Sequence, residues 1–224
     1  MADENGENAD ELIGAALCNA EDDIILVSKL GMSLKFQAND EQLRPMGRQT
    51  AGVQGMKFRE GDELLDMDVV WGDSDKDLFV VTNEGFAKRT AISEYRLQGR
   101  NGFGVKAVQL AEGRGSLVGA VIVEEDDQIM AIMKSGKVIR SNVDEVKRTG
   151  RTTQGVTFAK PDKNDEIISI ARNEEKDDDE SAENAENATV GATANEDTAQ
   201  SPESAVEAPA ETNAESGDGE NVEA

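Results

Sequence analysis

Nine basic residues stand at three places in a unit that occurs three times. Lys35, Arg89 and Arg140 each lie four residues after a glycine (Gly31, Gly85, Gly136). Arg44, Arg96 and Lys147 each precede a Gly-Arg dipeptide by three residues, and Arg48, Arg100 and Arg151 are the arginines of that dipeptide. The chemistry open to such a set is the holding of an extended polyanion. Each neutralised phosphate releases counterions and adds affinity without reading base sequence. The plain alternative is a solvated, charge-balanced surface. The acids do not repeat as well as the bases do, which favours phosphate contacts along a common rim.

Other chemistry is closed off by composition. The chain has no histidine, which removes His-based triads, His metal sites and imidazole acid/base catalysis. Its one cysteine, Cys18, excludes a disulfide framework and a cysteine metal site, and in an apolar segment it reads as a small core residue. Tyr95 is the only tyrosine, and Leu43 and Val146 hold its place in the other repeats, so it reads as a packed apolar residue and not a nucleophile. Trp71 follows a closing strand and reads as an interface or rim aromatic. The acid clusters Asp22-Asp23, Asp66/Asp68 and Asp126-Asp127 lack the spacing of an oxygen-ligand loop, so no metal is expected. GRNGFG does not match the dinucleotide fingerprint G-x-G-x-x-G, and no βαβ context surrounds it. No catalytic residue and no cofactor follow from the sequence.

The elements that position the bases are repeated with them. GRQTAGV (47–53), GRNGFGV (99–105) and GRTTQGV (150–156) place their second glycines at 52, 104 and 155, a period of about 50 residues typical of repeat architectures. These glycines fit a turn with positive φ or a phosphate cradle. Upstream of each loop, IILVS, LFVVT and IMAIM run through KLG, NEG and KSG into MSLKF, FAKRT and KVIRS, a hairpin in every repeat. Downstream, DELLDMDVV, GSLVGAVIV and DEIISIAR each close the unit. Four strands in about 50 residues make one blade, and a single blade cannot bury both faces, so blades must stack. The expected fold is all-β, a β-pinwheel or propeller-like repeat of four-stranded blades, about three complete with the last strand of a preceding one.

The expected organisation has three parts. DELIGAALC (10–18) aligns with DELLDMDVV (62–70), so residues 1–21 read as the end of a truncated preceding blade, and the chain as the C-terminal part of a longer protein. Residues 22–172 hold three repeats, at about 22–76, 77–125 and 126–172. Residues 173–224 are rich in Glu, Asp, Asn, Ala and Ser and read as a disordered acidic tail. Net charge divides the same way: −6 over 1–21, −2 over 22–172 and −16 over 173–224, together the chain's −24. The start of the chain lacks a signal peptide's basic and apolar regions, and no apolar run nears the roughly 18 residues of a membrane span. A soluble cytoplasmic protein is expected.

With loop, hairpin glycine and closing strand matching in order over about residues 10–172, the chain resembles the C-terminal domain of bacterial DNA gyrase A. That resemblance implies a β-pinwheel, six-bladed in the family, that wraps duplex DNA around a basic perimeter and so supports negative supercoiling. It implies that Lys35, Arg44, Arg48, Arg89, Arg96, Arg100, Arg140, Lys147 and Arg151 contribute to the perimeter. It also implies a nucleoid-associated location and, as partners, double-stranded DNA, the rest of gyrase A and gyrase B, with no membrane partner. The family's Q-R-R-G-G-K-G box is absent here, and the three Gly-Arg loops look like its degenerate counterparts. The breakage-reunion region with its tyrosine and the ATP site are not in this sequence, so the chain by itself is not expected to be an enzyme. The acidic tail is expected to compete with phosphate for the rim and modulate wrapping. Two alternatives stand: the C-terminal domain of topoisomerase IV, and a protein-binding propeller of the chromosome-condensation-regulator kind.

Overall fold

The computed structural model describes residues 11–71 and 75–173. In chain order its strands are β1 (Asp23–Ser28), β2 (Met32–Gln37), β3 (Leu64–Val70), β4 (Asp77–Thr82), β5 (Phe86–Ala91), β6 (Val105–Lys106), β7 (Leu117–Val123), β8 (Gln128–Met133), β9 (Val138–Asn142), β10 (Val156–Thr157) and β11 (Ile167–Asn173). Two short 3-10 turns, Ile92–Glu94 and Val143–Glu145, follow β5 and β9. The all-β class expected from the sequence holds.

The hairpins β1–β2, β4–β5 and β8–β9 form where the sequence places them. Each turn ends on a glycine at φ 83°, 82° or 86°, whose N–H donates to the carbonyl three residues back (Ser28, Thr82, Met133). A left-handed residue closing a tight turn gives the hairpin the twist of its strands, and glycine takes that conformation without steric cost. The closing strands β3, β7 and β11 then pair antiparallel with β1, β4 and β8.

The fourth strand of a sheet is where structure departs from expectation. The sheets run β3-β1-β2-β6, then β7-β4-β5-β10, and third β11-β8-β9. β6 and β10 come from the repeat after the sheet they complete. The Gly-Val ends of the second and third Gly-Arg loops therefore cross to the preceding hairpin, which period counting within one repeat does not reveal.

The sheets stack through β7, which packs against β3 on one side and β11 on the other. Between the first and second sheets lie Ile25, Val27, Leu78, Val80, Tyr95 and Leu117, among others. Between the second and third lie Phe79, Val81, Ile129, Met133, Val143 and Ile167. Alternate residues of β4 thus serve the two cores, as the two-residue period of a strand requires. Gly119 in β7 allows the approach of β11, since a Cβ there would meet Ile170 Cγ1 at 2.3 Å. Ile24, Leu26, Leu34, Phe36 and Met56 form a third core on the other face of the first sheet.

The segment expected to be the last strand of a preceding blade forms no strand over its described part, residues 11–18. Leu12 and Leu17 are 85% and 92% exposed, and Cys18 is exposed rather than a core residue. The closing strands that do form each pair with the hairpin of their own repeat. This segment has no hairpin of its own among the described residues, and a lone strand gains no ladder or packing to offset its ordering. Residues 1–10 and the expected tail from residue 174 onward lie outside the described residues. β11 runs through Asn173, one residue into the stretch assigned to the tail.

Candidate nucleic-acid interface

The three repeated basic positions have three different surroundings. The first sits on the second hairpin strand, two positions diagonally from the residue that opens the first. Lys35 faces Asp23 at 3.4 Å and Arg89 faces Asp77 at 3.4 Å. In the third repeat Gln128 stands at the acid's place and accepts from Arg140 Nε at 2.6 Å. Lys35 and Arg89 are buried, and Arg89 also meets Glu125 at 3.2 Å. A buried cation held by a carboxylate is a structural pair. These two are already neutralised, while Arg140 stays exposed.

The second position is outside. Arg44, Arg96 and Lys147 are all exposed, on the segments that lead into the Gly-Arg loops. The loop of the second repeat runs along β2: the Gln98 N–H donates to the Lys35 carbonyl, and Leu97 bridges Lys35 in parallel. The third repeat copies this on β5, with the Thr149 N–H on the Arg89 carbonyl and Arg148 bridging Arg89. These two loops therefore follow the edges of the first and second sheets opposite β3 and β7.

The third position anchors the loop. Arg100 Nη1 donates to the Gln54 carbonyl at 2.8 Å and Arg151 Nη1 to the Lys106 carbonyl at 3.2 Å, each on the repeat before. Both are half-buried, and a guanidinium engaged on one edge still presents N–H groups on the other. Their backbone N–H groups are received by Gln42 Oε1 (3.0 Å) and Glu94 Oε2 (3.1 Å). Arg48 is exposed.

The second loop glycine is fixed by a close approach. Gly104 and Gly155 take φ 70° and 80°. A Cβ would stand 2.1 Å from the Ser33 carbonyl oxygen at Gly104 and 2.5 Å from that of Ala87 at Gly155. The glycines therefore serve strand addition, and of the two sequence readings the turn fits.

Several groups escaped the sequence reading. Lys57, Arg59 and Lys106 are exposed bases in or beside the same loops. They occur in single repeats, so periodicity carried no signal for them. Lys88 is buried between repeats, where its ammonium donates to the carbonyls of Ala107 and Arg151, each at 2.5 Å. Burial pushes its amine down to about 8, with Glu94 acting in the opposite sense. Leu34 and Ile139 hold its place in the other repeats.

The acid clusters have structural employment. Asp66 and Asp68 accept from the Ala120 and Ile122 N–H groups of β7 at 3.4 and 2.8 Å, covering an edge that would otherwise stay unpaired. Burial pushes Asp66 above the usual carboxylate range, its hydrogen bonds to Met67 and Ala120 notwithstanding. Asp22 accepts from the Asn19 N–H at 2.7 Å, and Asp127 from the Glu124 N–H at 2.8 Å. Among the described residues no group of three or more His, Cys, Asp or Glu gathers as a metal site, and no helix is long and apolar enough to cross a membrane. Tyr95 is buried, which pushes its hydroxyl well above its usual range, consistent with an apolar role. Trp71 is half exposed, with Lys76 Nζ 6.0 Å from its ring centroid.

Against known proteins, the family model described as the DNA gyrase C-terminal domain, beta-propeller, matches residues 22–70, 76–124 and 127–174. DNA gyrase A of Streptomyces coelicolor is 55% identical over 166 residues, 74% of this chain and 19% of that one. DNA gyrase A of Mycolicibacterium smegmatis is 49% identical over 199 residues, 89% and 22% of the two chains. The chain thus spans about a fifth of the length of these relatives. A solved DNA gyrase A C-terminal domain superposes with a TM-score of 0.62 at 29% identity, over 68% of this chain and 50% of that one. A topoisomerase IV C-terminal domain superposes with a TM-score of 0.70 over 83% and 57%, but at 22% identity it bears on the fold alone.

Proposed function

This chain belongs to the DNA gyrase C-terminal domain family, a β-propeller family, and on that premise we propose that it binds and bends duplex DNA without chemistry of its own. In the intact assembly it acts with the rest of gyrase A and with gyrase B in ATP-dependent negative supercoiling, in the cytoplasm on the nucleoid. The observation that carries this reading is the repeated loop. The second and third basic positions recur on corresponding segments of all three repeats, which in the second and third repeats follow the sheet edges opposite β3 and β7, and Arg44, Arg48, Arg96 and Lys147 are all exposed. Bending a duplex much shorter than its persistence length of about 150 base pairs costs several kcal/mol, and contacts spread along an arc offset that cost where a single patch does not.

The reading narrows the nine-residue set. Arg44, Arg48, Arg96, Arg100, Arg140, Lys147 and Arg151 are the phosphate contacts. Lys35 and Arg89 hold their hairpins together through Asp23 and Asp77. The acidic stretch beyond residue 173 competes with phosphate for the same bases. The relatives at 55% and 49% identity are gyrase A chains, which favours gyrase over topoisomerase IV.

The test is duplex affinity against salt for the whole chain and for residues 1–173. Binding that is independent of sequence, strengthens as salt falls and tightens when the acidic stretch is removed supports the reading. A folded chain, by circular dichroism, that leaves DNA free even at low salt overturns it.

A further inference from the structure

Two acid-free segments of successive repeats run side by side. Residues 42–59 hold four Lys or Arg and residues 96–111 hold three, with no Asp or Glu in either. All seven are exposed except the half-buried Arg100. The segments join where Met56 bridges Gly102 in parallel, with the Lys57 N–H on the Gly102 carbonyl at 2.8 Å and the Asn101 N–H on the Gly55 carbonyl at 2.7 Å. Exposed aromatic rings collect in the same place. Of Phe58, Trp71 and Phe103, the exposed aromatics among the described residues, Phe58 and Phe103 stand in these segments.

Phe103 is the ring that the backbone presents. It is 48% exposed and stands between two glycines, which add no side chains beside it. Gly102 is tied to Lys57 on one side, and on the other Gly104 lies against the Ser33 carbonyl while Val105 pairs with Ser33. The Arg59 guanidinium carbon is 6.0 Å from the ring centroid. A ring whose backbone is already fixed loses little freedom on contact. The cations around it draw the phosphates of a duplex, so the ring faces the groove between them.

Physical geometry selects the groove. An apolar residue driven into the minor groove, about 6 Å wide, unstacks the bases and bends the duplex toward its major groove, away from the surface the residue comes from. That bend opposes wrapping onto the rim. The major groove, about 12 Å wide, admits the ring with Arg59 beside it and displays the thymine 5-methyl group. We propose that Phe103 reaches into the major groove and packs on thymine methyls. The proposal rests on the duplex-binding reading above and adds to it. Phosphate contacts hold any sequence, and Phe103 favours thymine where the major groove faces the second repeat. Ala51 and Gln154, both exposed, hold its place in the other repeats, so the preference belongs to one repeat of the three.

Removing the methyl group alone tests this. Alternating A·T duplexes of one length, made with thymidine or with deoxyuridine, carry the same charge and differ at the 5-methyl. The full chain is expected to bind the thymidine duplex roughly fourfold more tightly, the effect of taking about one methyl out of water. Phe103→Ala and Phe103→Gln copy the other two repeats, so their circular dichroism should match that of the native chain, and each should bind the two duplexes equally. Equal binding of both duplexes by the native chain, or a thymidine preference kept in both variants, overturns the proposal and leaves the DNA-binding reading intact. A folded native chain that binds neither duplex at low salt overturns both.

Discussion

Arg148 belongs to the third repeat and Asp77 to the second, yet Arg148 Nε donates to the Asp77 carboxylate at 3.0 Å. Asp77 is 1% exposed and also faces Arg89 of its own hairpin at 3.4 Å, so one buried carboxylate serves a cation on each side of a junction. Burial pushes the Asp77 carboxyl up, and the Arg148 hydrogen bond draws it part of the way back. Leu97 stands at the place of Arg148 against the preceding hairpin, so the junction tolerates either an apolar residue or a paired charge.

Removing that carboxylate is therefore expected to cost more than removing the arginine. Asp77→Ala leaves buried Arg89 only the exposed carboxylate of Glu125, and should destabilise by up to about 3–5 kcal/mol. Arg148→Leu copies the first junction and removes a partly exposed partner, for a loss of about 1 kcal/mol. Urea midpoints of the two variants check the order. An Arg148→Leu chain as unstable as Asp77→Ala would contradict it.

Lys88 predicts a pH dependence. Its amine lies near 8 in the folded chain against 10.5 when free, so between those values the unfolded chain holds the extra proton. Stability should then rise with pH above 8, by at most about 1.4 kcal/mol per pH unit. Tyr95 acts in the opposite sense above about pH 10, where the unfolded tyrosine ionises first. Denaturation at pH 7 to 10 should show the rise in the native chain and a flatter profile in Lys88→Met. Equal profiles would remove Lys88 as the cause.

The carboxylates on β3 that cover the β7 edge carry a stability prediction. Asp68→Ala leaves the Ile122 N–H without its 2.8 Å acceptor and should cost about 1–3 kcal/mol. Asp68→Asn keeps an acceptor there and should cost less. Amide exchange at Ile122 should quicken in the alanine variant before exchange in β4 does.

Two classes of basic residue should separate on DNA. Arg96→Gln and Lys147→Gln remove exposed charges and should each lower the slope of log affinity against log salt by about 0.9 without moving the unfolding temperature. Lys35→Gln and Arg89→Gln break buried pairs, so they should lower the unfolding temperature and leave the slope alone. A slope that falls equally in all four variants would return Lys35 and Arg89 to the interface.

The sequence by itself carried the period, the three hairpins with their turn glycines, the closing strands and the all-β class. Each of these is a local property: alternation of apolar residues, a glycine where φ must be positive, a spacing that recurs. It could not tell Lys35 from Arg44, because a repeated base looks the same whether it faces solvent or a carboxylate two positions diagonally across a hairpin. The hairpin register puts Asp23 beside Lys35 and Asp77 beside Arg89, and register is set by pairing between strands. Nor could it assign β6 and β10 to the preceding sheet. Their two-residue strands carry almost no pattern of their own, and what holds them is the approach of Gly104 to the Ser33 carbonyl and of Gly155 to that of Ala87. Leu12 to Cys18 align with the closing strand Leu64–Val70 and form none, since a strand needs a partner as well as a pattern. Local chemistry chose the parts, pairing across each hairpin decided which bases are buried against a carboxylate, and pairing between repeats decided which sheets gain a fourth strand.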